Sequence, residues 1–427
     1  MHLRCEVNKL FVFFVHICLA MKFRWIFLAL VLVSFISYKV NDSLFSTTLS
    51  SDLLERDTIS NRENLTAFFD KISKLRAKKD STFTLVHIGD SHIEMGHLSG
   101  EVEKTLKEEF GATGNDWFFP YHLFQPRSER FLPVDTISTW KRTTIKQPID
   151  SIPLGINGLA FYPTSTSAGL HFKKNWRVKS FSKISILHHT SENQVVKDVP
   201  NAVISTEKVA DHTAITHIRF NSPVTDVQLF FSKIPIYALS INGDKKSGVT
   251  YHRFGVAGST MQEFIDNTPY FKEQYAALRP DVLLISLGTN DSYRSFVNEE
   301  ELYNQLLNFI HGLQPILPTT TILLSTAPDT RYNSMKPPKL EAVNNAIRRV
   351  STKMHLPYWD LFHVMGGDAS LEQWEGNKLV QNDRLHFTTE GYRLQGNLLA
   401  YALIKETVKD TKNKYVAEKI KQKINNY

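Results

Sequence analysis

The sequence predicts an α/β fold: a parallel sheet covered by helices on both faces, interrupted by a separate all-β unit. Residues 282–287 are a continuous apolar run of strand length, and residues 83–88 and 320–325 read as further buried strands. Strands buried on both faces need that pattern, and helical segments between the later runs complete the α/β rhythm. Residues 116–250 change character, with short β-branched and aromatic stretches alternating with polar turns such as Asn157-Gly158 and Asn242-Gly243-Asp244. Several short strands at this spacing argue for a β-sandwich inserted into the α/β frame. A Gly89-Asp90-Ser91 turn, followed by His92, closes the strand at 83–88.

The first 40 residues read as a leader. An apolar run at 10–20 is broken by His16, and Met21-Lys22-Phe23-Arg24 then precedes an apolar run at 25–37 interrupted only by Ser34 and Ser37. Positive charge before about a dozen apolar residues is the pattern of an export signal. No small-x-small cleavage site and no lipobox cysteine follow, so an uncleaved N-terminal membrane anchor is the alternative, with Met1 or Met21 as the start. The run is shorter than the roughly 20 residues of a comfortable span. Either reading puts the catalytic part outside the cytoplasm, in the periplasm or cell envelope. Both cysteines, Cys5 and Cys18, lie in the leader, so the folded part has neither a disulfide framework nor a thiolate metal site.

Residues 41–61 are polar and Ser/Thr-rich and read as a linker. Leu65, Phe68, Phe69, Ile72 and Leu75 recur at helical spacing ahead of the first strand. The α/β unit is thus expected at 62–115 and 251–410, with the β unit at 116–250. Within the β unit, strands are expected at 183–188, 202–206, 214–220, 227–231 and 236–241. After it, a strand is expected at 249–253, helices at 261–278, 299–313, 339–353 and 388–404, and a short strand from Tyr358. The tail at 411–427 alternates lysines with Tyr415, Val416, Ile420 and Ile424, and reads as a solvated basic helix.

The chain has 427 residues, 42% hydrophobic and 22% charged, enough for two core-forming units. The net charge of +7 sits largely in the leader and tail. No basic stripe is interleaved with stacking aromatics, which argues against a nucleic-acid partner.

Active-site groups of an open parallel sheet collect at the C-terminal ends of its strands. Ser91, Asn290 and the turn containing Gly255 and Gly258 all occupy such positions, while Asp383 and His386 sit in a polar loop before a helix. A serine nucleophile needs a base within hydrogen-bond reach, and the base needs an orienting acid. Residues three apart in one turn share a face, so Asp383 can hold one nitrogen of His386 while the other faces Ser91. The oxyanion of an acyl-transfer intermediate needs preorganised donors. The backbone N–H groups of Ser91 and Gly258 and the side-chain amide of Asn290 form the natural set.

Gly89-Asp90-Ser91, a separate glycine, Gly288-Thr289-Asn290-Asp291 and Asp383-x-x-His386 stand in the order of the four sequence blocks of the SGNH/GDSL hydrolases. The chain resembles that family over residues 83–110 and 251–405. The resemblance implies a flavodoxin-like sheet and places the family's functional Ser, Gly, Asn and His at Ser91, Gly258, Asn290 and His386, with Asp383 completing a triad. Two features resemble the bacterial peptidoglycan O-acetylesterases and related envelope members, whose insert is a carbohydrate-binding-module-like jelly roll. One is His92, where the commoner motif has leucine; the other is the β-rich insert itself. Phe110-Gly111-Ala112-Thr113-Gly114, with Pro120-Tyr121, is similar to the segment leading into that insert.

Plainer readings compete at each position. Ser91 and Asn290 are also good helix-cap or turn residues, His386 can cap the following helix, and either Gly255 or Gly258 can be present for positive φ alone. His87, Asp90, His92, Glu94 and His97 invite a metal reading, but no full ligand set accompanies them and strand alternation splits them between faces. His188-His189 reads as structural. Trp117, Phe118, Phe119, Tyr162 and Trp176 either stack on sugar rings or fill the sandwich core. The absence of a Gly-x-Ser-x-Gly elbow counts against an ordinary α/β-hydrolase.

Together these readings lead to an exported serine esterase, without cofactor or metal, that removes O-acetyl groups from a cell-envelope glycan or other polysaccharide. The alternatives are a glycan O-acetyltransferase using the same triad and a glycan-binding protein with a vestigial site.

Overall fold

The computed structural model describes residues 49–427 apart from 80, 115, 121, 122, 124–133, 157, 176, 177, 243–246, 267 and 406–410. The expected leader, the first part of the expected linker and Trp176 fall outside the described residues. Among those described, no helix is long and apolar enough to cross a membrane.

A helix at residues 49–56 (α1) and a two-residue strand β1 (Ile59–Ser60) precede α2 (Thr66–Arg76) and β2 (Thr82–Gly89). After β2 come α3 (Ser91–Glu94) and α4 (His97–Phe110). The antiparallel strands follow: β3 (Val134–Ile137), β4 (Trp140–Thr144), β5 (Leu159–Pro163), β6 (Gly169–Lys173), β7 (Phe181–His189), β8 (Ala202–Ala210), β9 (Thr213–Val224), β10 (Asp226–Phe230) and β11 (Ile236–Ile241). The α/β rhythm resumes with β12 (Gly248–Gly255), α5 (Met261–Asp266), α6 (Thr268–Leu278), β13 (Val282–Ser286), α7 (Thr289–Ser292) and α8 (Glu299–Leu313). It ends with β14 (Thr321–Ser325), α9 (Leu340–Met354), β15 (Tyr358–Trp359), α10 (Leu361–Met365), α11 (Ser370–Gly376), α12 (Thr389–Ile404) and α13 (Thr411–Ile424).

The main sheet has the order β1-β15-β14-β13-β2-β12, parallel throughout except for β1. Numbered by first appearance, the parallel strands β12-β2-β13-β14-β15 read 2-1-3-4-5, the flavodoxin-like order. The chain leaves β2 toward β12 on one side and returns to β13 on the other. That reversal opens a crevice at the carboxyl ends of β2 and β13, where open α/β sheets bind ligands.

Period-2 alternation sends β2 into two cores. Phe83 and Leu85 join a cluster with Phe68, Val102, Leu398 and Leu403, from α2, α4 and α12. Val86 and Ile88 join a cluster with Leu306, Ile310, Val343 and Ile347, from α8 and α9. A strand walled by helices on both sides must be apolar on both faces, which is why 83–88 carries no charged residue.

The antiparallel part forms a six-stranded sheet, β4-β5-β11-β7-β9-β8, and a three-stranded sheet, β10-β6-β3. Phe161, Phe172, Phe181, Phe231 and Tyr237 are buried there, in a core continuous with the α8–α9 face of the main sheet. Trp117 and Phe119 are buried in the same core, Phe119 edge-on to Phe161. Of the aromatics considered for sugar stacking, these two are core residues. His188 bonds Thr216 Oγ1 at 2.9 Å and His189 bonds Tyr237 OH at 2.8 Å, so both carry structural bonds.

Two sequence expectations need correction. Residues 49–61 are not a linker, because Leu49 and Leu53 are fully buried and Ile59–Ser60 pairs with β15. Asp57 accepts a bond from Trp359 Nε1 at 2.8 Å, and its burial raises its pKa to about 7. The polar composition misled because few apolar residues are needed to dock one short helix. Nor is the tail a solvated helix: α13 forms, but Val416, Ile420 and Ile424 are buried against the main core. Lys419 and Lys423 face Glu109 and Glu101 of α4 at 3.4 and 3.7 Å. Its alternating lysines are the wet face of an amphipathic helix.

Candidate active site

β2 leads directly into Ser91. The strand ends at Gly89, Asp90 leaves the β region at φ −98° and ψ −147°, and Ser91 begins α3. Asp90 caps this helix, its Oδ1 accepting the His92 N–H at 3.0 Å. As the first helical residue, Ser91 has a backbone N–H with no intrahelical acceptor. That N–H and the Ser91 hydroxyl stand together at the mouth of the crevice.

The loop before α12 brings the histidine. His386 Nε2 lies 3.0 Å from Ser91 Oγ, and His386 Nδ1 lies 2.7 Å from Asp383 Oδ2. Asp383 Oδ1 also accepts the backbone N–H groups of Leu385 at 3.0 Å and His386 at 2.9 Å. The carboxylate therefore fixes the turn and the imidazole together. Burial pushes the Asp383 pKa up, but hydrogen bonds from the His386 ring and from the backbone N–H groups of His386 and Leu385, with the electrostatic pull of that ring, outweigh it and hold it below the ordinary value. Asp383 is thus an anion at neutral pH, and Nδ1 of His386 must carry the proton it donates. Nε2 is left as an acceptor toward Ser91, the arrangement a general base requires.

The expected oxyanion donors flank this chain. Asn290, in α7 after β13, donates through Nδ2 to Ser259 O at 2.9 Å and, over a longer 3.4 Å, to Asp90 Oδ2. The two glycines now separate. A Cβ on Gly255 would run into the Glu94 backbone and approach Asp90 O at 2.8 Å, so Gly255 serves the close packing of β12 against α3. Gly258 has φ +77° in an open turn, where a Cβ would meet only Lys146 Cε at 3.8 Å. Gly258 thus has open space around it where Gly255 is packed.

His92 lies beside this chain without joining it. It is buried, bonds Tyr392 OH through Nδ1 at 2.9 Å, and its ring sits 5.7 Å from that of His386. Burial and the neighbouring His386 charge, opposed by Asp383, lower its pKa to about 3. It is neutral at physiological pH and packs the base rather than replacing it. His87 is likewise buried, between Tyr251 OH at 2.7 Å and Ser286 Oγ at 2.9 Å.

Several contacts that shape the site were not foreseen from the sequence. Asp291 caps α5 by accepting the Met261 N–H at 3.2 Å with both oxygens. Glu263 accepts Lys146 Nζ at 2.6 Å, Arg294 at 3.4 Å and the Thr260 N–H at 2.8 Å. Glu94 accepts the Ala257 N–H. Lys146 comes from the connection between β4 and β5, so the inserted unit reaches the Gly258 turn directly. Thr260 and Glu263 form a local Thr-x-x-Glu capping box, whereas the bonds from Lys146 to Glu263, Ala257 to Glu94 and Met261 to Asp291 join positions far apart in the chain.

Burial pushes the Asp90 carboxyl up to about 7; the His92 N–H and Thr289 hydroxyl oppose this and the Asp291 charge adds to it. Asp291 is raised to about 6, again by burial first. Two buried carboxyls side by side cannot both ionise at little cost. No group of three or more His, Cys, Asp or Glu suited to a metal ion occurs among the described residues.

Residues 239–394 match the GDSL-like lipase/acylhydrolase family, a stretch that carries Gly258, Asn290, Asp383 and His386. The Ser91 turn lies ahead of it, beyond the inserted strands. A solved structure of a peptidoglycan O-acetylesterase is similar over 80% of this chain and 96% of its own, with a TM-score of 0.67 and 17% identity, a likeness of fold. A lipase/acylhydrolase from Enterococcus faecalis is 21% identical over 36% of this chain and 74% of its own, with a TM-score of 0.29. A GDSL-like lipase from Bacteroides thetaiotaomicron is 19% identical over 37% of this chain and 76% of its own, with a TM-score of 0.30. A sequence search of curated proteins matched none. The parallel-sheet domain thus joins a GDSL-like lipase/acylhydrolase match over residues 239–394 to a Ser91–His386–Asp383 chain at the sheet's switch point, and it is this domain that is similar to the SGNH/GDSL hydrolases.

Proposed function

We propose that the protein is an exported serine esterase that removes O-acetyl groups from a glycan of the cell envelope. The observation that carries this reading is the continuous chain Asp383–His386–Ser91, with bonds of 2.7 and 3.0 Å, at the crevice between β2 and β13.

The chemistry runs in two halves. His386 Nε2 takes the Ser91 hydroxyl proton as Oγ attacks the ester carbonyl, and Asp383 stabilises the imidazolium. The tetrahedral oxyanion is held by the N–H groups of Ser91 and Gly258 and by the Asn290 amide turned from its long contact with Asp90. His386 then gives its proton to the departing sugar hydroxyl, leaving an acetyl-serine. Water, deprotonated by the same histidine, attacks that ester; acetate leaves and the Ser91 proton is restored. Such preorganised donors are typically worth about 3–4 kcal/mol each to the transition state.

The choice of a glycan acetyl ester is supported by the peptidoglycan O-acetylesterase of like fold and by the inserted β unit that reaches the Gly258 turn through Lys146. Export is supported by the charged start and apolar run at residues 21–37. Acetate release from O-acetylated peptidoglycan, compared with O-acetylated xylan and with Ser91→Ala as control, tests the reading. Serine-dependent release from peptidoglycan is expected. Turnover of p-nitrophenyl acetate without release from either polymer would refute the glycan assignment while leaving the esterase chemistry standing.

A further inference from the structure

Four large apolar side chains stand exposed among the described residues, and three of them occupy the loops after β13 and β14: Phe296 (74% exposed), Tyr332 (46%) and Met335 (62%). Those loops border the catalytic chain. Arg331 N–H donates to Arg384 O at 2.7 Å, next to Asp383, and Tyr293 follows the Asn290-Asp291 turn. The Tyr293 and Tyr332 rings meet edge-on at 6.2 Å, and Tyr293 OH reaches Thr330 Oγ1 at 3.3 Å. Arg294 sits over Phe296 at 5.9 Å.

The turn that presents Tyr332 is unusually constrained. Tyr332 and Met335 exchange two backbone hydrogen bonds, at 3.0 and 2.9 Å, around Asn333 and Ser334, which have φ of 49° and 66°. Such a turn needs positive φ at both central positions, where glycine is the usual residue. Asn tolerates this and Ser does so at a cost. The turn is braced by Lys336 Nζ to Asp368 at 2.6 Å and by buried Arg331, which bonds Asp329 at 2.5 Å. Strained backbone held by its surroundings collects at ligand clamps, and a rigid platform loses little entropy on binding.

We propose that Tyr332 and Met335, backed by Tyr293, form a stacking platform for a pyranose ring of the glycan strand, beside the sugar whose ester enters the catalytic crevice. This rests on the glycan reading above and names the binding surface for it. A pyranose offers an apolar C–H face and a rim of hydroxyls. The platform matches it with an exposed ring and thioether bordered by Arg294, Lys336 and Asp368. An acyl chain would instead call for a concave, continuously apolar pocket.

Binding in the Ser91→Ala background tests the platform without turnover, using soluble peptidoglycan glycan strands freed of stem peptides. Adding Tyr332→Ala is expected to weaken strand binding by about ten-fold, the scale of one aromatic contact, and Tyr332→Trp to restore it. In the enzyme with Ser91 intact, Tyr332→Ala should lower the ratio of glycan deacetylation to p-nitrophenyl acetate turnover by a similar factor. Equal binding with and without the Tyr332 ring, no binding of strands by the Ser91→Ala protein, or a loss on p-nitrophenyl acetate as large as that on glycan would overturn the platform. Strand binding that depends on Tyr332 in a protein releasing no glycan acetate would sustain the platform and refute the esterase substrate, so the two failures are distinct.

Discussion

Replacing Asp383 by Asn isolates what the acid contributes. Asp383 Oδ1 accepts two backbone N–H groups, at 3.0 and 2.9 Å, and Oδ2 accepts His386 Nδ1–H at 2.7 Å. An asparagine keeps the backbone bonds if its carbonyl oxygen takes the Oδ1 position, which puts the NH2 opposite the imidazole. Nδ1 must then present its lone pair, and the ring proton moves to Nε2, 3.0 Å from Ser91 Oγ. In that tautomer the histidine can no longer accept the serine proton. Flipping the amide instead would set its NH2 against two backbone donors, at a cost of about 1–3 kcal/mol for each unpaired group. The expected fall in kcat is about 100- to 10,000-fold, or about 3–5 kcal/mol in the barrier. Folding should change by no more than about 1–2 kcal/mol, since two of the three bonds survive. Steady-state turnover of p-nitrophenyl acetate beside thermal unfolding reads both quantities. A folded Asp383→Asn protein within ten-fold of the parent rate would refute the tautomer argument.

Further outcomes follow from the surroundings of the site. Asp90 is raised in the folded state, so the stability it allows is full below its unfolded pKa and is lost as pH rises through about 7. Asp90→Asn, which keeps the cap oxygen, should therefore gain on the parent between about pH 4 and 7, by up to about 4 kcal/mol, in denaturant unfolding; a constant difference across that range would contradict the burial argument. Gly255→Ala should destabilise by more than about 2 kcal/mol because its Cβ meets the Glu94 backbone, whereas Gly258→Ala should cost only about 1–2 kcal/mol for its left-handed φ; urea unfolding of the pair should give that order. Ile420→Ala should cost about 2–5 kcal/mol in the same assay, where a solvated tail would give almost nothing.

The parallel frame was legible because strands buried on both faces must be largely apolar and free of charge, and 83–88, 282–287 and 320–325 carry no Asp, Glu, Lys or Arg. Helix α8 matched residue for residue, since Asn298 caps it through its side chain and three glutamates fill its first turn. Triad proximity followed from strand-end positions and the three-residue spacing of Asp383 and His386. Strands β3 and β4 escaped notice because Val-Asp-Thr-Ile and Trp-Lys-Arg-Thr-Thr lie at sheet edges, where charge is favoured over pattern. The expected helix at 261–278 is present as α5 and α6, on either side of residue 267, which lies outside the described residues. Lys146, Glu263 and Tyr332 were invisible as site residues because only the tertiary fold brings them beside Gly258 and Asp383.

The central claim is that Ser91 carries the acyl group. Protein quenched during turnover of an acetyl ester, digested and analysed by mass spectrometry, should bear one acetyl on the peptide containing Ser91, and Ser91→Ala should show neither the adduct nor turnover. Undiminished turnover by a folded Ser91→Ala protein, or an acetyl group found only at another residue, would contradict it.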